Sequence, residues 1–252
     1  MPLITSVVPS SWEALEIAST EILRECGMEA DRQVTLPLPR GSVDVDVYAV
    51  EVIDGIKHIT ICECKNWSTN VPKEVIHAFR TVMHEAGANR GYVISSVGFQ
   101  SGAVLAAKST NIELVKFRQL QEVYFEKWIN KRLWSFEEAH GDFSIYYEPL
   151  GPPGYSRLES DDDRRRYDAV WDRYHFAGIL LIPFSPYLRE HAKNPLPTLP
   201  LDASSLESRG IIVPDDIKQA SGYRELIGLF EKYATAGLQE LRAVNPITRS
   251  PR

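Results

Sequence analysis

Gly41 to Trp67 reads GSVDVDVYAVEVIDGIKHITICECKNW, and this stretch decides the fold. Val43, Val45, Val47 and Ala49 alternate with Asp44, Asp46 and Tyr48, the pair Asp54-Gly55 follows, and a second run carries Ile59, Ile61, Cys62 and Cys64. Alternation on either side of Asp-Gly predicts a β-hairpin with a two-residue turn. If Asp54 and Gly55 are the central turn residues, Ile53 faces Ile56. Counting back then sets Asp46 opposite Glu63 and Asp44 opposite Lys65. Residues two apart share a face, so all four polar groups are expected on one side of the hairpin.

Opposed Cβ atoms in such a pair lie about 4.5 to 5.5 Å apart, where two like charges destabilise the strands. A divalent cation reverses the sign of that interaction. Asp46 and Glu63, with the main-chain carbonyl of Cys64 and water, make an oxygen set suited to Mg²⁺, with Mn²⁺ able to substitute. Lys65 would then lie beside the ion, placed to orient or help deprotonate a water or to balance phosphate charge. The plain alternative is an exposed face on which Asp44 pairs with Lys65 and the other two carboxylates are solvated.

An Asp, a gap, then Glu-x-Lys on the next strand resembles the PD-(D/E)xK nuclease superfamily, and VDVDV with ECKNW is most similar to its Mrr-like restriction endonuclease branch. The resemblance covers about residues 10–133. It implies an α/β fold, a mixed β-sheet flanked by helices with a restriction-endonuclease-like core, and an Mg²⁺-dependent endonuclease acting on DNA. Asp46, Glu63 and Lys65 are the implied catalytic residues, with Asp46, Glu63 and the Cys64 carbonyl as metal ligands. Asp44 is the alternative ligand; register and family spacing both favour Asp46. In this family an acidic residue on the first helix often approaches the metal, and Glu16 is the matching candidate to complete the shell, with Glu13 second. Restriction or defence against phage is the implied setting. A structure-specific nuclease acting on four-way junctions and a catalytically inactive binding module remain the rival readings. Cutting both strands of a duplex needs two centres, so a homodimer is expected.

The chain has 252 residues, 44% hydrophobic and 25% charged, enough for one large domain or two smaller ones. No apolar run is long enough to span a bilayer, and MPLITSVVPSSWE lacks a basic region followed by an apolar core. A cytoplasmic protein without a membrane partner is expected. Cys26, Cys62 and Cys64 lack the paired spacing of a zinc site and read as buried hydrophobes. The net charge of -6 opposes strong non-specific nucleic-acid binding, so basic residues must act locally. No repeat, phosphate-cradling loop or Ser-His-Asp order stands out.

Ser10 or Ser11 is expected to cap a helix running to about Cys26, with Gly27 as its stop. Trp12, Leu15, Ser19, Ile22, Leu23 and Cys26 form its apolar face, with Glu16 at the border. Gln33 to Leu38 predicts a first strand. Pro72 starts a helix with Val75, Phe79, Val82, Met83 and Ala86 inward and His77 and His84 outward. Strand, helix and strand then follow through VISSVGFQSGA and Ile112 to Lys116, and a helix from about Gln119 to Leu133 closes a nuclease-like domain at residues 1–134. Residues 135–252 are expected to form an α+β extension of unassigned role, opening with a strand at Phe143 to Tyr147 and a loop containing Pro149, Gly151, Pro152, Pro153 and Gly154. Ile179 to Ile182 predicts another strand, and Pro214 the start of a long last helix. Arg164 to Arg166 are expected to be balanced by Asp161 to Asp163.

Overall fold

The computed structural model describes residues 3–39, 41–148 and 150–247. Val7–Lys131 forms one compact unit; the residues from Arg132 onward, with the N-terminal segment ending at Ser6, form another.

In the first unit, helix α1 (Trp12–Glu25) opens on Ser11, whose side chain accepts the Ala14 amide at 3.0 Å, and stops where Gly27 turns with φ +88°. Strands β1 (Glu29–Leu38), β2 (Gly41–Ile53), β3 (Ile56–Lys65), β4 (Arg90–Ser95) and β5 (Ile112–Lys116) lie side by side in chain order. The first three run antiparallel and the last three parallel. The hairpin has the expected register, Ile53 against Ile56, and Asp54 and Gly55 turn with φ +50° and +81°, as the tight turn demands. β1 begins earlier than expected, at Glu29.

Parallel pairing buries β3 and β4 on both faces, hence their near-continuous apolar runs. On one face lie α2 (Lys73–Glu85) and α3 (Ser101–Ala107), with Ile76, Phe79 and Met83 packed in the cluster of Ile61 and Val93. Ile76 belongs to this buried stripe, and His77 and His84 are exposed as expected. On the other face, Tyr92, level with Cys62, meets Tyr124 of α4 (Phe117–His140) at 5.8 Å between ring centroids. Trp128 of the same helix donates to Glu25 of α1 at 2.6 Å. Each large apolar side chain removed from water in these layers contributes about 1.5–3 kcal/mol.

The α+β expectation for the C-terminal region is corrected: among the described residues that region is helical. Phe143 to Tyr147 lie in a 3₁₀ segment, Gly141–Tyr147, and Ile179 to Leu181 end the helix α5 (Asp161–Leu181). Phe143 and Tyr146 are buried here by helical packing, and Ile179-Leu-Leu-Ile is a helix end that apolarity alone cannot distinguish from a strand. Short helices α6 (Pro186–Ala192), α7 (Ser204–Glu207) and α8 (Asp215–Gln219) precede α9 (Tyr223–Val244). The expected single last helix is two, because Ala220 is extended and Gly222 caps α9 where a Cβ would strike the Ser6 amide at 2.6 Å. Pro149 of the expected boundary loop lies outside the described residues.

Gly91 leaves the space on β4 that Phe79 and Met83 fill; a Cβ there would sit 2.7 Å from the Phe79 ring and 2.6 Å from the Met83 sulfur. Gly91→Ala is expected to destabilise the protein by about 1–3 kcal/mol. Denaturant unfolding with an unchanged slope measures it, and a neutral substitution would show that this layer is loosely packed.

Candidate active site

The hairpin ladder closes on Val47 opposite Cys62, and the next rung, Asp46 with Glu63, is not made. Asp46 Oδ2 instead accepts the main-chain N–H of Cys64 at 2.6 Å. The amide and carbonyl of one strand residue point to the same edge. The Cys64 carbonyl therefore leaves β3 on the edge where Asp46 stands.

The same position is open on the other side of β2. Arg32 pairs with Val47 and Val34 with Val45, while the rung between them, Gln33 with Asp46, is missing. Strict alternation from Val47 would set Val45 on the face of Val47 and Cys62. Val45 instead packs with Val43, Val34 and Leu36 in the cluster around Ile61 and Val93, so β2 turns over at Asp46. Asp44, alternating with those valines, faces away from Glu63. The expectation that all four polar groups share a side is thus replaced: Asp44 is exposed and accepts from Thr35 at 2.5 Å.

Glu63 and Lys65 sit on β3, half-buried, and form an ion pair with each other. Lys65 does not pair with Asp44. Its ammonium lies over the Trp67 ring, 5.4 Å from the centroid, and its carbonyl accepts the Ser96 amide at 3.1 Å, which anchors the strand end beside β4. Ser96 Oγ donates to the Trp67 carbonyl at 3.0 Å, and Ser95 Oγ accepts the Gly98 amide at 3.0 Å. The turn after β4, from the VISSVGF segment, thus holds the chain that carries Lys65.

Glu16 approaches from α1. It is only 1% exposed, more deeply set than the border position expected of it, and its carboxylate acts on that of Asp46. Gln33 Nε2 donates to Glu16 Oε1 at 2.7 Å, and Arg32 lies 3.9 Å from Glu16 Oε2. Glu13 is exposed, with its carboxylate 4.0 Å from Arg32. Gln33 and Arg32 are members of this cluster that sequence reading missed. An isolated Gln on a strand gives no signal of a polar contact with a helix 17 positions earlier.

Burial pushes the Asp46 carboxyl above its ordinary value; the Cys64 amide and Lys65 oppose the rise, and Glu16 adds to it. Burial likewise pushes Glu63 up, opposed by its bond with Lys65 and reinforced by Asp46. Desolvation raises the Cys62 and Cys64 thiols too, so both remain uncharged packing groups. Among the described residues no three His, Cys, Asp or Glu side chains form a ready metal cluster. The oxygen donors that do gather are the Asp46 and Glu63 carboxylates, under electrostatic stress, and a carbonyl on the Asp46 edge. That hard set fits Mg²⁺ or Mn²⁺ with part of the shell left to water.

Among the described residues the second unit gathers no comparable set. Arg164 pairs with Asp161, and Arg165 and Arg166 with Asp162, as expected from their spacing. A cleft of about 890 Å³ lined by Trp171, His175, Arg209 and Tyr233 has two of its cations, Arg173 and Lys232, paired with Glu240 and Asp216.

Residues 9–124 match the family model of Mrr_cat, a restriction endonuclease family of PD-(D/E)xK type. The matched residues lie within the first unit, and the model they match is that of a family of DNA-cleaving hydrolases. No curated protein matches the chain. Among solved structures it is similar to the protein of unknown function AF1548, at 15% identity and a TM-score of 0.37 over 89% of this chain and 98% of that one. VC1899 from Vibrio cholerae matches at 16% identity and 0.36 over 45% of this chain and 32% of that one. The DNA modification-dependent restriction endonuclease AspBHI matches at 11% and 0.27, over 48% and 36%. No helix among the described residues is long and apolar enough to cross a membrane.

A carboxyl whose folded pKa is raised contributes stability below its ordinary pKa of about 4 and loses it as pH rises through the raised value. Asp46→Asn removes that loss. In metal-free buffer the variant is expected to melt above the parent at pH 7, the gap closing as pH falls to about 4. Mg²⁺ at a hundred times its Kd should stabilise the parent by about 2.7 kcal/mol and the variant far less. A variant that melts lower at neutral pH, or gains equally from Mg²⁺, would contradict this electrostatic account.

Proposed function

We propose that the protein is a metal-dependent endonuclease that hydrolyses phosphodiester bonds in DNA, with Mg²⁺ as its ion and Mn²⁺ as a substitute. The observation that carries the reading is the meeting of Asp46 and Glu16 at a strand position released from both neighbours, with the Glu63 and Lys65 pair on the adjoining strand. Asp46, Glu63 and the Cys64 carbonyl would hold the ion. When bound, the ion supplies a Lewis acid for the phosphate and lowers the pKa of water. Lys65, fixed over Trp67 and beside Glu63, orients the attacking water and balances charge developing on the phosphate oxygens. Glu16 keeps a further carboxylate against Asp46 and completes the shell indirectly.

Residues 1–134 are taken as the nuclease domain and residues 135–252 as a separate region that contributes to substrate choice. A homodimer would place two centres on a duplex. On this reading the protein acts in the cytoplasm, in restriction or defence against phage.

Plasmid, linear duplex, single strand and four-way junction, each with Mg²⁺, Mn²⁺ or chelator, test the activity. Asp46→Ala and Glu63→Ala are expected to abolish cleavage; preference for the junction would assign the site to structure-specific chemistry, and no cleavage of any substrate with metal would favour a binding module. Lys65→Ala should keep metal affinity near that of the parent yet lose 10²-fold or more of the rate at saturating metal, about 3 kcal/mol of transition-state stabilisation. Calorimetry followed by a cleavage time course separates the two quantities, and a variant that cuts at the parental rate would remove Lys65 from the chemistry.

A further inference from the structure

Gln33 has φ +53° within the body of β1. The other described non-glycine residues with positive φ lie elsewhere: Asp54 in the hairpin turn, Ser109 between α3 and β5, and Lys193 at the end of α6. A non-glycine residue held left-handed inside a strand is strained, and such strain persists only where the surroundings enforce it. Gln33 stands at the one missing rung between Glu29 and Leu38, opposite Asp46. The distortion therefore releases Asp46 from β1 at the same residue where it is released from β3. It also carries the Gln33 amide onto Glu16 Oε1 at 2.7 Å.

We propose that Gln33 is a positioning residue of the metal-binding site: from a left-handed backbone opposite Asp46, its side-chain amide holds the Glu16 carboxylate against Asp46 and pre-sets the acidic cluster for a divalent cation. The proposal rests on the metal-dependent reading of Asp46 and Glu63. An amide is suited to the task because it donates to one Glu16 oxygen without adding charge, while Arg32 lies near the other oxygen. Glu16 is thereby fixed in orientation and remains free to act on Asp46 and on water around the ion. Hydrogen-bond partners behind metal-binding carboxylates tune affinity by about 10–100-fold when lost.

The test is Mn²⁺ binding by calorimetry without DNA, together with melting temperature in chelator, for the parent, Gln33→Gly, Gln33→Glu, Glu16→Gln and the double variant Glu16→Gln with Gln33→Gly. Gln33→Gly accepts the left-handed backbone but has no donor; Gln33→Glu keeps the size and presents a carboxylate at neutral pH. Both are expected to bind Mn²⁺ about 10–100-fold more weakly than the parent. In the Glu16→Gln background, Gln33→Gly should change affinity by no more than about twofold, because the carboxylate whose position the amide sets is already gone. Parental affinity in both Gln33 variants would overturn the proposal and leave the nuclease reading intact, as would variants that lose only melting temperature. An undiminished loss in the Glu16→Gln background would also overturn it. A parent that fails to bind Mn²⁺ would overturn the metal-site reading and this proposal with it. If Gln33→Gly fails to fold, Gln33→Glu decides.

Discussion

The bond from the Cys64 amide to Asp46 Oδ2 is the interaction on which the site depends. A strand that leaves its ladder in the interior strands backbone donors, and an unpaired buried N–H costs as much as a lost hydrogen bond. Here a carboxylate replaces the missing main-chain acceptor. That substitution lets β2 turn over without leaving the Cys64 donor empty, and it fixes Asp46 beside the strand that carries Glu63 and Lys65. The surrounding layers make the arrangement rigid. α2 packs over Ile61 and Val93 on one face, and α1 and α4 close the Cys62 face, so β3 moves with the core.

Charge in this cluster is balanced locally and incompletely. Lys65 compensates Glu63, and Arg32 lies near Glu16, yet desolvation still drives Asp46 and Glu63 toward their protonated forms. A group so placed has electrostatic energy to release when a cation arrives. The net charge of -6 is compatible with such a cluster: the carboxylates gathered here count among the chain's acids, and one half-buried lysine stands beside them.

The helical second unit departs from its expected α+β character for a simple reason. Short apolar runs such as Phe143 to Tyr147 and Ile179 to Ile182 carry no periodicity that separates a strand from a buried helical turn. No sheet edge is present in that unit among the described residues to receive them as strands. Their burial comes from helix packing, as where Gly237 of α9 admits the Phe143 and Tyr174 rings. The arginine run, by contrast, was legible because spacing of three and four on a helix places Asp161 and Asp162 beside it.

By itself the sequence determined the hairpin, its register and the order of elements in the first unit. Asp-Gly admits one tight turn, and a period of two fixes which residues oppose, so Ile53 must meet Ile56 once the strands form. It also singled out Asp46, Glu63 and Lys65, because paired carboxylates beside a lysine are costly on a buried strand without a purpose, and Glu16 through the resemblance to the nuclease family. Only the tertiary structure decided how those groups meet. Counting along the hairpin assumes a continuous ladder, whereas β1 and α1 impose a break at Gln33 and Asp46 that turns Asp44 away and brings Glu16 in. A backbone break of this kind follows from packing between elements distant in the chain, and no local pattern of residues encodes it.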